Sequence, residues 1–283
     1  MLLKAMRYSA IALILSGSAV WSQSPIHFLS GEAFLSALEA EQGQIRRSQQ
    51  DAETRQIKLD TLKKIQVILK NIPENQHSFE FDLKGGAFSA IMKHVFEGSA
   101  EKAVQLYANI TIGHHPQKLF FLSGAGVSEI ITDLKEIEGG YEFISDRIYK
   151  NEHAYNTRNK IQLKLYRLDG GTLVCVDQHV ADYGLELQHQ GLERRGKSYG
   201  PIDYDVTIDI YQQMTDRKFQ FISFNIYEGQ TRQSRYSTLN TLQTAGNVLS
   251  LGILNGGIRL LVEKNVRSVW ERRKRAFQKL LTF

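Results

Sequence analysis

The sequence predicts an α+β protein: a mostly antiparallel curved sheet or sandwich, with an N-terminal helical segment and a long C-terminal helix. Three observations predict it. Apolar residues recur at helical spacing over residues 30–72, at period two over much of 78–227, and at helical spacing again from Thr238. Two of the alternating stretches face each other across short turns, as hairpins do. The prolines (Pro25, Pro73, Pro116 and Pro201) fall between patterned segments, where they act as punctuation.

Residues 1–22, MLLKAMRYSAIALILSGSAVWS, read as an export signal. Lys4 and Arg7 make a positive start, Ile11 to Leu15 a short apolar core, and Ser16, Gly17, Ser18 and Ala19 the small residues before a cleavage point after Ala19 or Ser22. The core is too short to span a bilayer as a mature helix. The chain then divides into a helical segment at 23–77, a strand-rich body at 78–234 and a C-terminal helical segment at 235–283.

In the first segment Ser30 can cap a helix carrying Phe34, Leu35 and Leu38. Its middle, EQGQIRRSQQDAETRQ, is very polar, yet Leu38, Ile45, Ala52 and Leu59 recur every seven residues. A seam with one apolar position per heptad reads as a solvated helix or stalk before a specific coiled coil. Ile57, Leu62, Ile65, Ile68 and Leu69 make an amphipathic end that should pack on something. Phe79, Phe81 and Leu83 then alternate with polar residues, a strand ending at Gly85-Gly86. The pattern next predicts a short helix at 87–97, a strand through Val104 to Ile112, an apolar run at Leu119–Leu122, a short helix near 128–137 and a strand at Tyr141–Tyr149.

Two hairpins follow. In IQLKLYRLDGGTLVCVDQHV, a type I′ turn at Asp169-Gly170 pairs Leu168 with Gly171. That register puts Ile161, Leu163 and Leu165 on one face with Val174 and Val176, and Cys175, Asp177 and His179 on the polar face with Lys160, Gln162 and Lys164. The second hairpin joins Tyr204–Gln213 to Phe219–Tyr227, with Val206, Ile208 and Ile210 inward and Asp203, Asp205, Thr207 and Asp209 outward. Eight or nine strands with local turns give the antiparallel sheet.

Residues 245–262 are apolar but contain Asn247, Asn255 and Arg259, which fits a helix covering the sheet or an interfacial segment better than a spanning one. Residues 258–283 make a basic amphipathic helix with Ile258, Val262, Val266, Val269, Phe277 and Leu280 in one arc. Arg273 falls inside that apolar arc.

Hydrophobic content of 42% with 23% charged residues excludes a disordered chain. The net charge of +5 is unevenly spread: loss of Lys4 and Arg7 leaves +3, while Arg259–Phe283 alone hold eight Lys/Arg against two Glu, so the body between is slightly acidic. This is a charged terminal element, not a basic nucleic-acid-binding domain. The lone cysteine, Cys175, permits no intramolecular disulfide.

Four stretches spell catalytic or binding motifs. GLERRGKS at 191–198 resembles the phosphate loop of P-loop NTPases, but that loop must follow a buried strand and open a helix, and Tyr199-Gly200-Pro201 stops one. DYDVT at 203–207 resembles the first motif of haloacid-dehalogenase-type phosphatases, which sits at a strand's end, whereas this strand runs on through Ile210. SGAGVSE at 123–129 resembles a dinucleotide loop with Glu129 in place of the third glycine. Cys175, Asp177 and His179 share a strand face, where they diverge too far to close a metal site unaided. His114-His115 beside Pro116 reads as a turn.

The expectation is therefore an exported, periplasmic or secreted envelope protein of non-enzymatic binding or scaffold type. It binds an apolar ligand or an envelope component, or meets an anionic membrane surface through Lys264, Arg267, Trp270, Arg272, Lys274, Arg275 and Phe277; docking of the same helix onto the sheet competes with that contact. No cofactor, metal, nucleotide or nucleic acid is expected, and the oligomeric state is open. The rival reading is an exported hydrolase assembled from separated segments, with His179, Asp177, Asp205 and Asp209 as candidates. A structural partner acting through the polar seam at 38–59 is a third.

Overall fold

In the computed structural model, residues 26–71, 77–112, 127–149, 156–200, 202–229 and 253–282 are described. The expected export signal at 1–22, the Leu119–Leu122 run, His114-His115, most of SGAGVSE, and residues 230–252 lie outside them.

After a two-residue strand β1 (Leu29–Ser30), Ser30 caps helix α1 (Gly31–Arg47) by accepting from the Ala33 N–H at 3.2 Å. The helix stops at Ser48, and Asp51 caps α2 (Ala52–Lys70), accepting from the Thr54 N–H at 2.8 Å. This break corrects the single helix expected across 30–72. Nor is the polar middle a stalk: Leu38, Gln42 and Ile45 are buried on one side of α1, and Ile57, Leu62 and Ile65 on α2.

β2 (Ser78–Lys84) and β3 (Ala87–Glu97) form a hairpin whose Gly85, at φ 57°, adopts the left-handed conformation tucked beneath Thr54 and Asp51 of α2. The expected helix at 87–97 is thus a strand. AFSAIMKHVF lacks alternation because β3, one strand in from the edge, is covered on both faces. The next expectation reverses as well: residues Ala100–Thr111 are helix α3, capped by Ser99. Val104, Leu106, Ala108 and Ile110 alternate in sequence, but Ala100, Ala103, Val104, Tyr107, Ala108 and Ile110 also follow helical spacing, and these are buried whereas Leu106 is only partly so. β4 (Val127–Ile137) replaces the helix expected near 128–137 and pairs with β5 (Gly140–Tyr149).

β6 (Thr157–Arg167) and β7 (Leu173–Asp182) form the first predicted hairpin in a shifted register. Leu168 pairs with Thr172 across a 3₁₀ turn at Asp169–Gly171, so Leu165 lies opposite Cys175 and Leu163 opposite Asp177. Both Gly170 and Gly171 have positive φ, which lengthens the turn by one residue. Hydrophobic pattern did not decide the register because both faces of the sheet are covered.

A short helix α4 (Gly184–His189) and the small hairpin β8 (Glu193–Arg194) and β9 (Lys197–Ser198) follow. β10 (Ile202–Thr215) and β11 (Lys218–Gly229) pair as predicted, and α5 (Ile253–Leu281) ends the fold.

The strands form an antiparallel sheet in the order β2-β3-β11-β10-β7-β6-β5-β4, and β1 adds a parallel pair at the end of β6. Irregular pairings at Thr132/Lys135, Lys160/Ile161 and both ends of β10 bend it. One face packs Val174, Val206, Ile208, Ile210, Ile222 and Phe224 beneath α1 and α2. The other packs Phe143, Leu163, Tyr211, Phe219 and Phe221 beneath α3 and α5. The fold is α+β, with a large curved antiparallel sheet between N-terminal helices and a C-terminal helix.

Candidate functional site

Alternation along β10 sends Asp205, Thr207, Asp209 and Tyr211 to the face away from α1 and α2. The expectation was that this face meets water. Instead α3 and α5 cover much of it: Asp209 is 2% and Tyr211 0% exposed, while Asp205 keeps 19% of its side chain in solvent. The neighbouring strands add Cys175 opposite Asp209, Asp177 opposite Thr207, and Ser223 and Asn225 from β11. His179 lies on the same face of β7, opposite Ile161.

From β5, Arg147 donates through Nε to Glu129 of β4 at 3.0 Å and reaches Asp205 at 3.9 Å. β5 and β10 are three strand spacings apart, about 14 Å on a flat sheet, so this approach shows the face to be concave. Ser145 donates to Glu129, and Asn225 donates to Thr207 at 3.0 Å and to Asp205 at 3.3 Å. Arg273 of α5 contributes the second cation; burial opposes its charge, but Tyr107 and Asp209 more than restore it.

Burial dominates the electrostatics. It raises the Asp205 carboxyl to about 6 against the pull of Arg147, and the Asp209 carboxyl to about 6 against the pull of Arg273. It raises Asp177 as well and lowers the His179 imidazole. It lifts the Cys175 thiol well above its usual range, so this 1%-exposed cysteine is an inert core residue.

The concave face is incompletely paired. Thr157 Oγ1 and Asn159 Oδ1 on β6, His179 Nε2 on β7, and Asp209 Oδ1 and Tyr211 OH on β10 are buried without a hydrogen-bond partner among the described residues. Such groups are uncommon, because each loses its water without replacement. A cavity of about 20 Å³ beneath α5, lined by Asp209, Tyr211, Tyr107, Ser223 and Arg273, has room for one water molecule.

Sequence reasoning named His179, Asp177, Asp205 and Asp209, and the structure gathers all four on this face. It missed Glu129, Arg147, Tyr107 and Tyr211. Arg273 carried a signal: a guanidinium inside an apolar helical arc needs a polar partner beneath it.

The residues proposed for membrane contact separate by side. Trp270 stacks on Phe221 at 5.6 Å and 9°, and Phe277 sits edge-on to Phe96 at 5.3 Å, both buried in the core. These two aromatics therefore hold α5 to the sheet and present nothing outward. Lys264, Arg267, Arg272 and Arg275 are exposed, and Lys274 is paired with Glu271 at 2.6 Å.

The motif-like stretches also have defined places. GLERRGKS is the β8–β9 hairpin, turning at Arg195 (φ 55°) and Gly196 (φ 67°), with helix α4 before it. DYDVT opens a strand that continues to Thr215.

No family model and no curated protein matches the sequence. Among solved structures the chain is similar to norcoclaurine synthase from Thalictrum flavum, at 16% identity and TM-score 0.31, over 66% of this chain and 97% of that one. It is similar to human StAR-related lipid transfer protein 5 at 12% identity and TM-score 0.39, over 81% and 96%. It is also similar to protein Ms6760 from Mycobacterium smegmatis at 10% identity and TM-score 0.31, over 72% and 95%.

Proposed function

We propose that this chain is a non-enzymatic binding protein that takes an amphipathic small molecule on the concave face of its sheet. The observation that carries this reading is the set of buried, unpartnered polar atoms beside an aromatic wall. The polar end of a ligand would satisfy Asp209, Tyr211 and Arg273, while its apolar part would lie against Phe96, Phe221 and Trp270. The cavity is water-sized, so any larger occupant has to displace α5 from the sheet.

The test uses anilinonaphthalene sulfonate, which joins apolar rings to one anionic group. The full chain should bind it at one saturable site, and Arg273→Gln should weaken that site about tenfold, the scale of one charged hydrogen bond. Non-saturable binding, or equal binding by the variant, would reject the reading.

The same reading places the protein outside the cytoplasm, on the strength of residues 1–22, with the outward cations of α5 facing an anionic surface. None of the described helices is long and apolar enough to cross a membrane. Lys264, Arg267, Arg272 and Arg275 could each add about 1 kcal/mol at such a surface. Changing all four to Glu should abolish sedimentation with phosphatidylglycerol vesicles; sedimentation equal to wild type would remove this part of the reading.

One observation favours the hydrolase alternative: Asp205 and Asp209 have carboxyls near pH 6, where acid–base catalysts work. Hydrolysis of ester, peptide, glycan or phosphate substrates, lost in Asp205→Asn, would select that alternative.

A further inference from the structure

Ser78 of β2 pairs with Lys93 of β3, so the next residues outward, His77 and His94, stand opposite each other at the edge of the sheet. Their Nδ1 atoms are 2.9 Å apart, with ring centroids at 4.6 Å and ring planes at 48°. The other nitrogen of His94, Nε2, lies 3.4 Å from the Gln278 side-chain amide of α5. His77 is exposed and His94 half-buried against Phe96, which meets it edge-on at 4.6 Å.

Two nitrogens bound cis to one metal ion, with bonds of about 2.0 Å, stand roughly 3 Å apart. We infer that His77 and His94 form a two-imidazole binding site for a divalent transition-metal cation, with copper(II) preferred over nickel(II) and zinc(II). The preference follows from two neutral nitrogens in a cis arrangement, which suits square-planar coordination, and from the general affinity order of these ions.

No group of three or more His, Cys, Asp or Glu able to hold a metal occurs among the described residues. Among the described residues the remaining coordination positions are left to water or an exogenous ligand, so the ion exchanges readily. Gln278 supplies the outer support. Here the Gln278 amide nitrogen faces His94 Nε2, which leaves the His94 proton on Nδ1, shared with His77; turning the amide over lets its oxygen accept from His94 Nε2–H and frees the Nδ1 lone pair for the ion. Lys274 and Glu271 are the charged groups of α5 felt at His94, and although they pair with each other Lys274 has the stronger influence, so a cation binds there against a residual positive field. A bound ion would join the sheet's edge strand to β3 beside the end of α5.

The test titrates copper(II) alone into the full chain at pH 7.4, followed by electron paramagnetic resonance at one equivalent. Wild type should show one site with hyperfine splitting from two nitrogens. His77→Ala should bind at least about tenfold more weakly and lose one of the two nitrogen couplings, and Gln278→Ala should weaken binding by about tenfold. Since His77 is exposed, its replacement leaves the core intact and decides the question even if His94→Ala fails to fold. Equal affinity in wild type and His77→Ala, or an unchanged spectrum, would assign any bound copper to the other histidines and overturn the site.

Discussion

Beneath α1 and α2, Lys58 is fully buried, bonded to Glu228 and seated 4.1 Å from the Tyr204 ring centre. Gln50 donates to the same carboxylate at 2.6 Å, while Glu41 accepts from Tyr204 OH at 2.8 Å and from Gln178 at 2.9 Å. Beneath α3 and α5, on the other face of the same strands, one Asp209 oxygen and the Tyr211 hydroxyl have no such partners. The side beneath α1 and α2 has unpaired atoms too, the Gln42 and Gln220 amides and the Ser78 hydroxyl, but its buried Lys58 is matched by Glu228. The difference teaches where stability and binding reside. One face pairs its buried charge across the packing, with a cavity of about 60 Å³ left beside α1; the other keeps polar capacity unspent.

Breaking the closed face should give the largest effect. Glu228→Ala leaves the Lys58 ammonium buried without its counter-ion, and it should destabilise by about 3–5 kcal/mol in urea unfolding. Lys58→Met with Glu228→Gln, which removes both charges, should cost far less. A small loss in Glu228→Ala would mean that the sealed face is not sealed by this pair.

The open face should reveal itself through pH. Asp205 and Asp209 bind protons more tightly in the folded chain (about 6) than in the unfolded one, where they return to the ordinary carboxylate value of about 3.9. Their contribution to stability is therefore complete below about pH 4 and lost as pH rises through 6, each by up to about 3 kcal/mol. Asp51, whose carboxyl is lowered by the Thr54 side-chain hydrogen bond, contributes in the opposite sense. The slope of urea midpoint against pH between 4 and 6.5 should shift toward stabilisation in Asp209→Asn and Asp205→Asn. An unchanged slope would place both carboxyls in ordinary solvent.

Legibility in the sequence follows the same division. β2, β5, β6, β7, β10 and β11 were readable because polar and apolar residues alternate along them. β3 was not, since both of its faces are covered. β4 was not, because EIITDLKEI fits a helix as well as a strand, and its bulge at Asp133 (φ 52°) depends on pairing with β5. The candidate site was half legible. Period two placed Asp177 with His179, and Asp205 with Asp209, on shared faces. Their burial was hidden, because it is made by α3 and α5 folding over strands distant in sequence. Only Arg273, inside the apolar arc of its own helix, pointed across that distance.

The smallest effect makes the sharpest comparison, because it changes one hydroxyl on each face. Thr61 of α2 donates to the Ile57 carbonyl at 2.8 Å and is hydrogen-bonded to Ser89 of β3 at 2.7 Å. Thr61→Val keeps the shape and strands Ser89, so it should destabilise by about 1–2 kcal/mol. Tyr211→Phe also keeps the shape, but its hydroxyl is buried and unpartnered, so removing it ends a desolvation cost. That variant should unfold at the same urea concentration as wild type or slightly higher, while binding anilinonaphthalene sulfonate more weakly. Opposite signs of stability change, with the binding loss confined to Tyr211→Phe, are what an open polar face requires. Equal destabilisation by the two substitutions would show that Tyr211 is already satisfied in the unliganded protein, by water or by chain outside the described residues, and the contrast between the faces would disappear.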